Sequence, residues 1–364
     1  MALAITRKKW LSPNAIRSAS SSSDKWLEGQ AAYLQNASLS RREIIPVRIP
    51  SSPRSARNHL RRWWGGSIRA SQKLAAILAI SMAASPAFPT ENGSQMYPVG
   101  TNTVFPGIAP SPGQTWWQNY NLYYSADTFG DNKGNSLVPG FQLDVAAYAP
   151  RFFHGWRAQI GPFGLASAFV VPIIYSSVGT DFSNDTDFNI GEVTLQPLYL
   201  SYSNKEKTLF AYGGVDFNLP TFTAVSRRYV TANPIVTFTW FPAKSLDINM
   251  ISLVELALSE NASTDYRSGN LVVLEYSAHA RPFAFLPKLS LGVNGYYVDQ
   301  FTSDEAGGVD IGFEGKAFAV GPELVYQIGE SAGFAIKWQH EFDVKNRPEG
   351  EKFWFQFQKP LGTR

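Results

Sequence analysis

Cysteine is absent from all 364 residues, so neither a disulfide framework nor a thiolate metal site can be built. No run of about 18 apolar residues occurs either, which excludes a helix spanning a bilayer. Histidine appears four times, and only His154, His279 and His340 lie beyond the basic N-terminal part. The phosphate loop G-x-x-x-x-G-K-[ST], the zincin H-E-x-x-H and the nucleophile elbow G-x-S-x-G are all missing, so no motif supports nucleotide, zinc-peptidase or hydrolase chemistry. Acidic loop residues (Asp181, Asp185 and Asp187; Asp304, Glu305 and Asp310) resemble calcium ligands in kind, but not in EF-hand spacing. The expectation is no metal, no cofactor and no catalytic residue.

Excess charge of one sign is also missing from the whole chain, with 32 basic and 29 acidic residues, but that balance joins two unlike parts. Residues 1–87 hold 14 Lys or Arg and 3 acids, which leaves 18 basic and 26 acidic residues in the rest. An acidic main body gives no footprint for a nucleic-acid partner. Residues 1–68 are Ser- and Arg-rich, carry Pro13, Pro46, Pro50 and Pro53, and show no sustained periodicity. They are expected to be a disordered basic extension, from a start codon called upstream of the true one or as a long n-region. Residues 69–87 read as a signal peptide: Arg69 and Lys73, the apolar stretch 74–84, then Ser85-Pro86-Ala87 with cleavage after Ala87.

What is present, from Trp116 onward, is one repeated unit. Runs of about ten alternating residues, rich in Val, Leu, Tyr, Phe and Trp, are separated by connections that are long and short in turn. The long ones (128–136, 177–189, 220–232, 259–270, 302–315 and 345–351) are polar; the short ones are 154–161, 203–207, 242–245, 283–287 and 329–332. This predicts an all-β fold: an antiparallel transmembrane β-barrel of about 12 strands within residues 114–364, with short periplasmic turns and long extracellular loops. Residues 88–113, rich in Gly and Pro, precede it as a periplasmic or lumenal segment, either a plug or a trailing linker.

Each strand sorts its side chains into an apolar and a polar face. Val272, Leu274 and Tyr276 oppose Glu275, His279 and Arg281; Phe334, Ile336 and Trp338 oppose Lys337, Gln339 and Glu341. Asp144, Glu192, Asp216, Glu275, His279, Arg281, Glu323, Lys337 and Glu341 are therefore the candidates for lumen lining, with Asp247 and Glu255 on the same polar faces. Aromatic residues at short turns, namely Phe152, Phe153 and Trp156, Trp240 and Phe241, Phe283 and Phe285, predict an interfacial girdle. His340 is aimed outward, and no Ser shares that face of its own strand, which gives a lipid-modifying enzyme little support.

Several stretches carry a family resemblance: Glu91-Asn92-Gly93 with Tyr97-Pro98, Tyr124-Ser125-Ala126-Asp127, Trp338-Gln339-His340-Glu341-Phe342, Lys345-Asn346-Arg347-Pro348-Glu349-Gly350 and Phe353-Trp354-Phe355-Gln356-Phe357. Over residues 91–361 the chain resembles the MetA-pathway of phenol degradation family of SphA-like outer-membrane proteins. The resemblance implies a transporter-like barrel in a Gram-negative outer membrane, associated with aromatic compounds, and supplies no catalytic residues. The expected function is passive uptake of small aromatic or hydrophobic compounds; a purely structural barrel and a lipid-modifying enzyme remain the alternatives. Expected partners are outer-membrane lipid and lipopolysaccharide, the barrel assembly machinery and a small-molecule solute, with no nucleic acid.

Overall fold

The computed structural model describes residues 95–261 and 263–362. The expected extension and signal peptide lie outside the described residues. Among the described residues seventeen strands are formed: β1 (Thr115–Phe129), β2 (Gln142–Ile160), β3 (Phe163–Val170), β4 (Ile173–Gly179), β5 (Asn184–Ile190), β6 (Val193–Ser203), β7 (Leu209–Leu219), β8 (Thr231–Ala243), β9 (Leu246–Ala257), β10 (Tyr266–Arg267), β11 (Leu271–Ala280), β12 (Leu289–Gln300), β13 (Glu305–Ala306), β14 (Val309–Asp310), β15 (Lys316–Gln327), β16 (Gly333–Lys345) and β17 (Pro348–Leu361).

Twelve of them close on one another. The hydrogen-bonded order β1-β17-β16-β15-β12-β11-β9-β8-β7-β6-β3-β2 returns to its start because β1 also pairs with β2, from Thr115↔His154 to Ala126↔Leu143. Every pairing in this ring is antiparallel. Closure removes the unpaired strand edges, whose bare N–H and C=O groups hydrocarbon could not satisfy. The remaining strands lie outside the ring: β4 and β5 extend beside β2, and β10, β13 and β14 form a small sheet within the long connections.

Burial shows which face looks inward. Along β11 and β16, Glu275, Ser277, His279, Lys337, Gln339 and Glu341 are buried, while Ile336 and Phe342 are exposed. On β17 the same alternation leaves Phe353 and Phe355 outside and turns Trp354 and Gln356 inside. A soluble sandwich has the reverse arrangement, with apolar groups inside and polar groups in water. Polar inside and apolar outside is what a membrane barrel requires. The protein is therefore an antiparallel barrel of a Gram-negative outer membrane, surrounded by lipid and lipopolysaccharide, with short turns on the periplasmic side and the long loops outside.

The connections differ from expectation in three places. β2 continues through the expected turn at 154–161 and reverses only at Gly161-Pro162, where Gly161 has φ 57°. The stretch 177–189 is the β4–β5 hairpin rather than a loop, its turn closed by Thr180 N–H donating to Ser183 O at 2.8 Å. This hairpin carries polar groups on both faces, so period-two patterning could not reveal it. The connection 345–351 shrinks to Asn346-Arg347, because Asn346 takes a left-handed φ of 51° and donates through Nδ2 to Glu314 O at 2.9 Å.

The expected girdle is also divided. Trp156 and Trp240 point outward, as do Phe283 and Phe285. Phe153 is corrected to an interior residue, 1% exposed, and Phe241 meets Phe105 of the N-terminal segment at 5.9 Å between ring centroids. Both follow the inward phase of their strands.

Candidate functional site

Residues 96–108 have no regular secondary structure, so their backbone groups need partners from elsewhere. The barrel wall supplies them. Glu255, on β9, accepts from Met96 N–H at 2.9 Å and Tyr97 N–H at 2.7 Å. Glu275, on β11, accepts from Gly100 N–H at 2.6 Å and Asn102 N–H at 2.8 Å. Lys337, on β16, donates to Gly100 O at 2.6 Å, Thr101 O at 2.8 Å and Thr103 Oγ1 at 2.7 Å. Lower down, Ser277 Oγ donates to Thr103 O at 2.6 Å, Thr237 Oγ1 to Pro106 O at 3.0 Å, and Gly107 N–H to Thr239 Oγ1 at 3.0 Å.

These contacts fix a path. Glu255 lies near the extracellular end of β9, and Thr239 lies toward the periplasmic end of β8. The segment therefore descends the lumen from the outer side and emerges where Gly113 and Gln114 meet Gly155, just before β1. Tyr97 and Val99 pack against Leu253, Val273 and Tyr296 of the wall, so the core of this barrel lies between the segment and the wall. Position 100 demands glycine: its φ is +88°, and an added Cβ would run into the side chain of Gln339. Gly100→Ala is expected to cost about 1–3 kcal/mol, seen as a lower temperature for loss of the compact, heat-modifiable band in gel electrophoresis.

Other interior charges are engaged by one another or by hydroxyl and amide groups. His279 Nδ1 lies 2.7 Å from Asp247 and its Nε2 3.1 Å from Glu323. Asp247 is shared with Arg281 at 3.0 Å, and Glu323 also accepts from Thr103 Oγ1 at 2.9 Å. Glu341 pairs with Lys352 at 3.4 Å and accepts from Tyr124 at 2.7 Å and from Tyr296. Asp216 accepts from Tyr199 and from Gln196 at 2.7 Å.

Seven of the nine expected lumen residues thus face inward: Asp216, Glu275, His279, Arg281, Glu323, Lys337 and Glu341. Two do not fit. Asp144 lies on the outer face near the extracellular end of β2, where it accepts from the exposed Tyr123 hydroxyl at 2.7 Å; the strand there has a polar outer face, so polarity did not mark the lumen. Glu192 is buried, but in the break between β5 and β6, where it accepts from Arg227 N–H at 2.5 Å and ties down an extracellular loop. Glu255, which the sequence placed on a polar face, proves to be a clamp. Lys352 and Arg151 were not singled out at all.

On the outer surface, Ser125, Glu351 and His340 stand side by side on β1, β17 and β16. Glutamate occupies the middle of this row, and His340 Nδ1 is 3.6 Å from it. Ser125 and His340 are two strand spacings apart, about 9.5 Å. A serine nucleophile needs its histidine within hydrogen-bond reach.

A family profile described as "Putative MetA-pathway of phenol degradation" matches residues 126–357, well over half of the chain. The chain belongs to this phenol-degradation family. The match takes in the wall residues from Asp144 to Glu341, while the first strand begins upstream of it. Among solved structures, the COG4313 outer membrane channel of Pseudomonas putida F1 is similar at a TM-score of 0.61 and 13% identity, covering 70% of this chain and 97% of that one. The β domain of the Bordetella autotransporter BrkA is matched at a TM-score of 0.43 and 9% identity, covering 68% and 99%. No curated protein matches. The likeness to the Pseudomonas structure concerns the fold; the phenol-degradation family places the clamps on β9, β11 and β16 inside its matched region.

Proposed function

We propose that this member of the phenol-degradation family is a passive outer-membrane channel for small aromatic or hydrophobic compounds. The observation that carries the reading is the nature of the lumenal stopper: an irregular segment that donates hydrogen bonds to Glu255 and Glu275 of the wall and accepts them from Lys337, with its register set by side chains rather than by a sheet. Such a contact set can be broken and remade locally as water enters the lumen, because each hydrogen bond to a charged group has a net worth of about 1.5–3 kcal/mol. The sequence carries no nucleotide-binding motif, so movement would follow the solute gradient. The outward row Ser125-Glu351-His340 has the wrong order for serine chemistry, which supports a non-enzymatic protein. Assembly would rely on the barrel assembly machinery, and the partner in transport would be the solute itself.

A structural barrel is favoured by one observation, the filled lumen. Liposome swelling separates the two readings: the refolded chain is expected to admit phenol-sized aromatics faster than sugars of similar mass. If no solute enters protein-containing vesicles faster than empty ones, with the segment present or deleted, the channel reading is lost.

A further inference from the structure

Between the lower part of the N-terminal segment and the wall lies a cavity of about 130 Å³. An enclosed cavity of about 150 Å³ binds benzene; this one is slightly smaller but open at one end, so it can take a single ring whose edge reaches the mouth. Its walls are Phe105 and Ile108 of the segment and Trp116, Phe153 and Tyr212 of β1, β2 and β7; its mouth is the β15–β16 turn at the periplasmic end.

At its inner end is Arg151, 4% exposed. No carboxylate oxygen among the described residues forms an ion pair with this guanidinium. Its Nε donates to Gln196 Oε1 at 2.7 Å and its Nη1 to Gln118 Oε1 at 3.0 Å, and the cation stands 4.3 Å over the ring of Phe153. Asp216 is one residue removed, reached through Gln196 and engaged by Tyr199. The guanidinium is surrounded by neutral amides and by the Tyr120 and Tyr212 side chains, and the nearest carboxylate, Asp216, acts on it only from beyond Gln196, so this buried cation can take a further anion, and a planar guanidinium fork matches a carboxylate. Gln118 passes the hydrogen-bond chain on to Gln358 at 2.7 Å and thence to Ser331 O at 3.2 Å on the mouth turn. Glu330 on that turn is exposed and has a partner of its own.

We infer that this cavity is a binding site for a monocyclic aromatic carboxylate, its ring between Phe105 and the Trp116–Phe153 wall and its carboxylate on Arg151. The site refines the substrate class of the channel proposed above. Apolar walls alone would take any small hydrophobe; the buried cation selects the anion. A neutral phenol would fill the same walls without answering the charge.

The test is titration of the full refolded protein in detergent with benzoate, benzamide and phenol, followed by calorimetry and by Trp fluorescence. Benzoate is expected to bind at least tenfold more tightly than benzamide, which has the same ring without the charge. Arg151→Gln should remove most of that preference, with its folding checked by the heat-modifiable gel shift. Equal binding of benzoate and benzamide by the unaltered protein would overturn the assignment, and this comparison stands even if the variant fails to fold. Benzoate binding without passage into liposomes would sink the channel and spare the site; passage of phenol-sized solutes without benzoate preference would do the opposite.

Discussion

A chain lacking residues 88–110 should conduct ions in planar bilayers about an order of magnitude better than the intact protein. The size of the ring sets this expectation. Eight strands make a barrel whose own side chains fill it, whereas sixteen to eighteen leave an aqueous channel. Twelve lie between, and here the wall residues that face inward include many medium-sized groups, such as Ser277, Thr237, Thr239 and Asn294. The space they leave is taken by residues 96–108. Removing the segment should also lower the thermal midpoint of the barrel, because Glu255 and Glu275 would lose the amides that they now accept from. Conductance unchanged from the intact protein would mean that the wall itself closes the lumen.

The second large effect is expected at Lys337. Its ammonium is 1% exposed and donates to two backbone carbonyls and one hydroxyl of the segment. It also lies 5.3 Å from the face of Trp354. Lys337→Met would leave two carbonyl oxygens without their donor and remove the cation beside Glu275, a change that costs about 3–5 kcal/mol when one member of a buried charged set is removed. The informative measurement is a double-mutant cycle by urea denaturation in micelles. In the chain without residues 88–110, water would reach position 337 and the same substitution should be close to neutral. Equal costs in the two backgrounds would show that Lys337 stabilises the wall rather than the segment.

How far the sequence could be read depended on whether a residue sat within a clean alternation. β11, β15 and β16 are flanked by lipid on one side and by the interior on the other, so phase alone turns Glu275, Glu323, Lys337 and Glu341 to the face that is buried in the structure. Asp144 stands on the outer face because the outer end of β2 turns its apolar side, Leu143, onto a small cluster of Ala126, Phe129 and Phe141, so polarity there marks the outside rather than the lumen. Arg151 was passed over and Phe153 was assigned to the girdle for one reason: β2 runs on to Ile160, past the point where the aromatic cluster suggested a turn. The path of residues 96–108 had no local signal, since an irregular segment satisfied by distant side chains leaves no period in its own sequence. Even so, the wall carried a trace of it: Glu255 and Glu275 stand on inward faces, where they accept from the segment's backbone amides. The row of Ser125, Glu351 and His340 needed strand register, which sequence does not supply.

The clamps also have a consequence for the order of events during assembly. Met96 finds Glu255 across 159 residues, and Thr101 finds Gln356 across 255. The stopper is therefore translated first and seated last, since its sockets do not exist until β9, β11, β16 and β17 have paired. Long sequence separations of this kind defer contact formation. A nascent ring would pass through a hollow, hydrated stage, and closure of β1 against β17 would act as the latch after which the barrel can be corked.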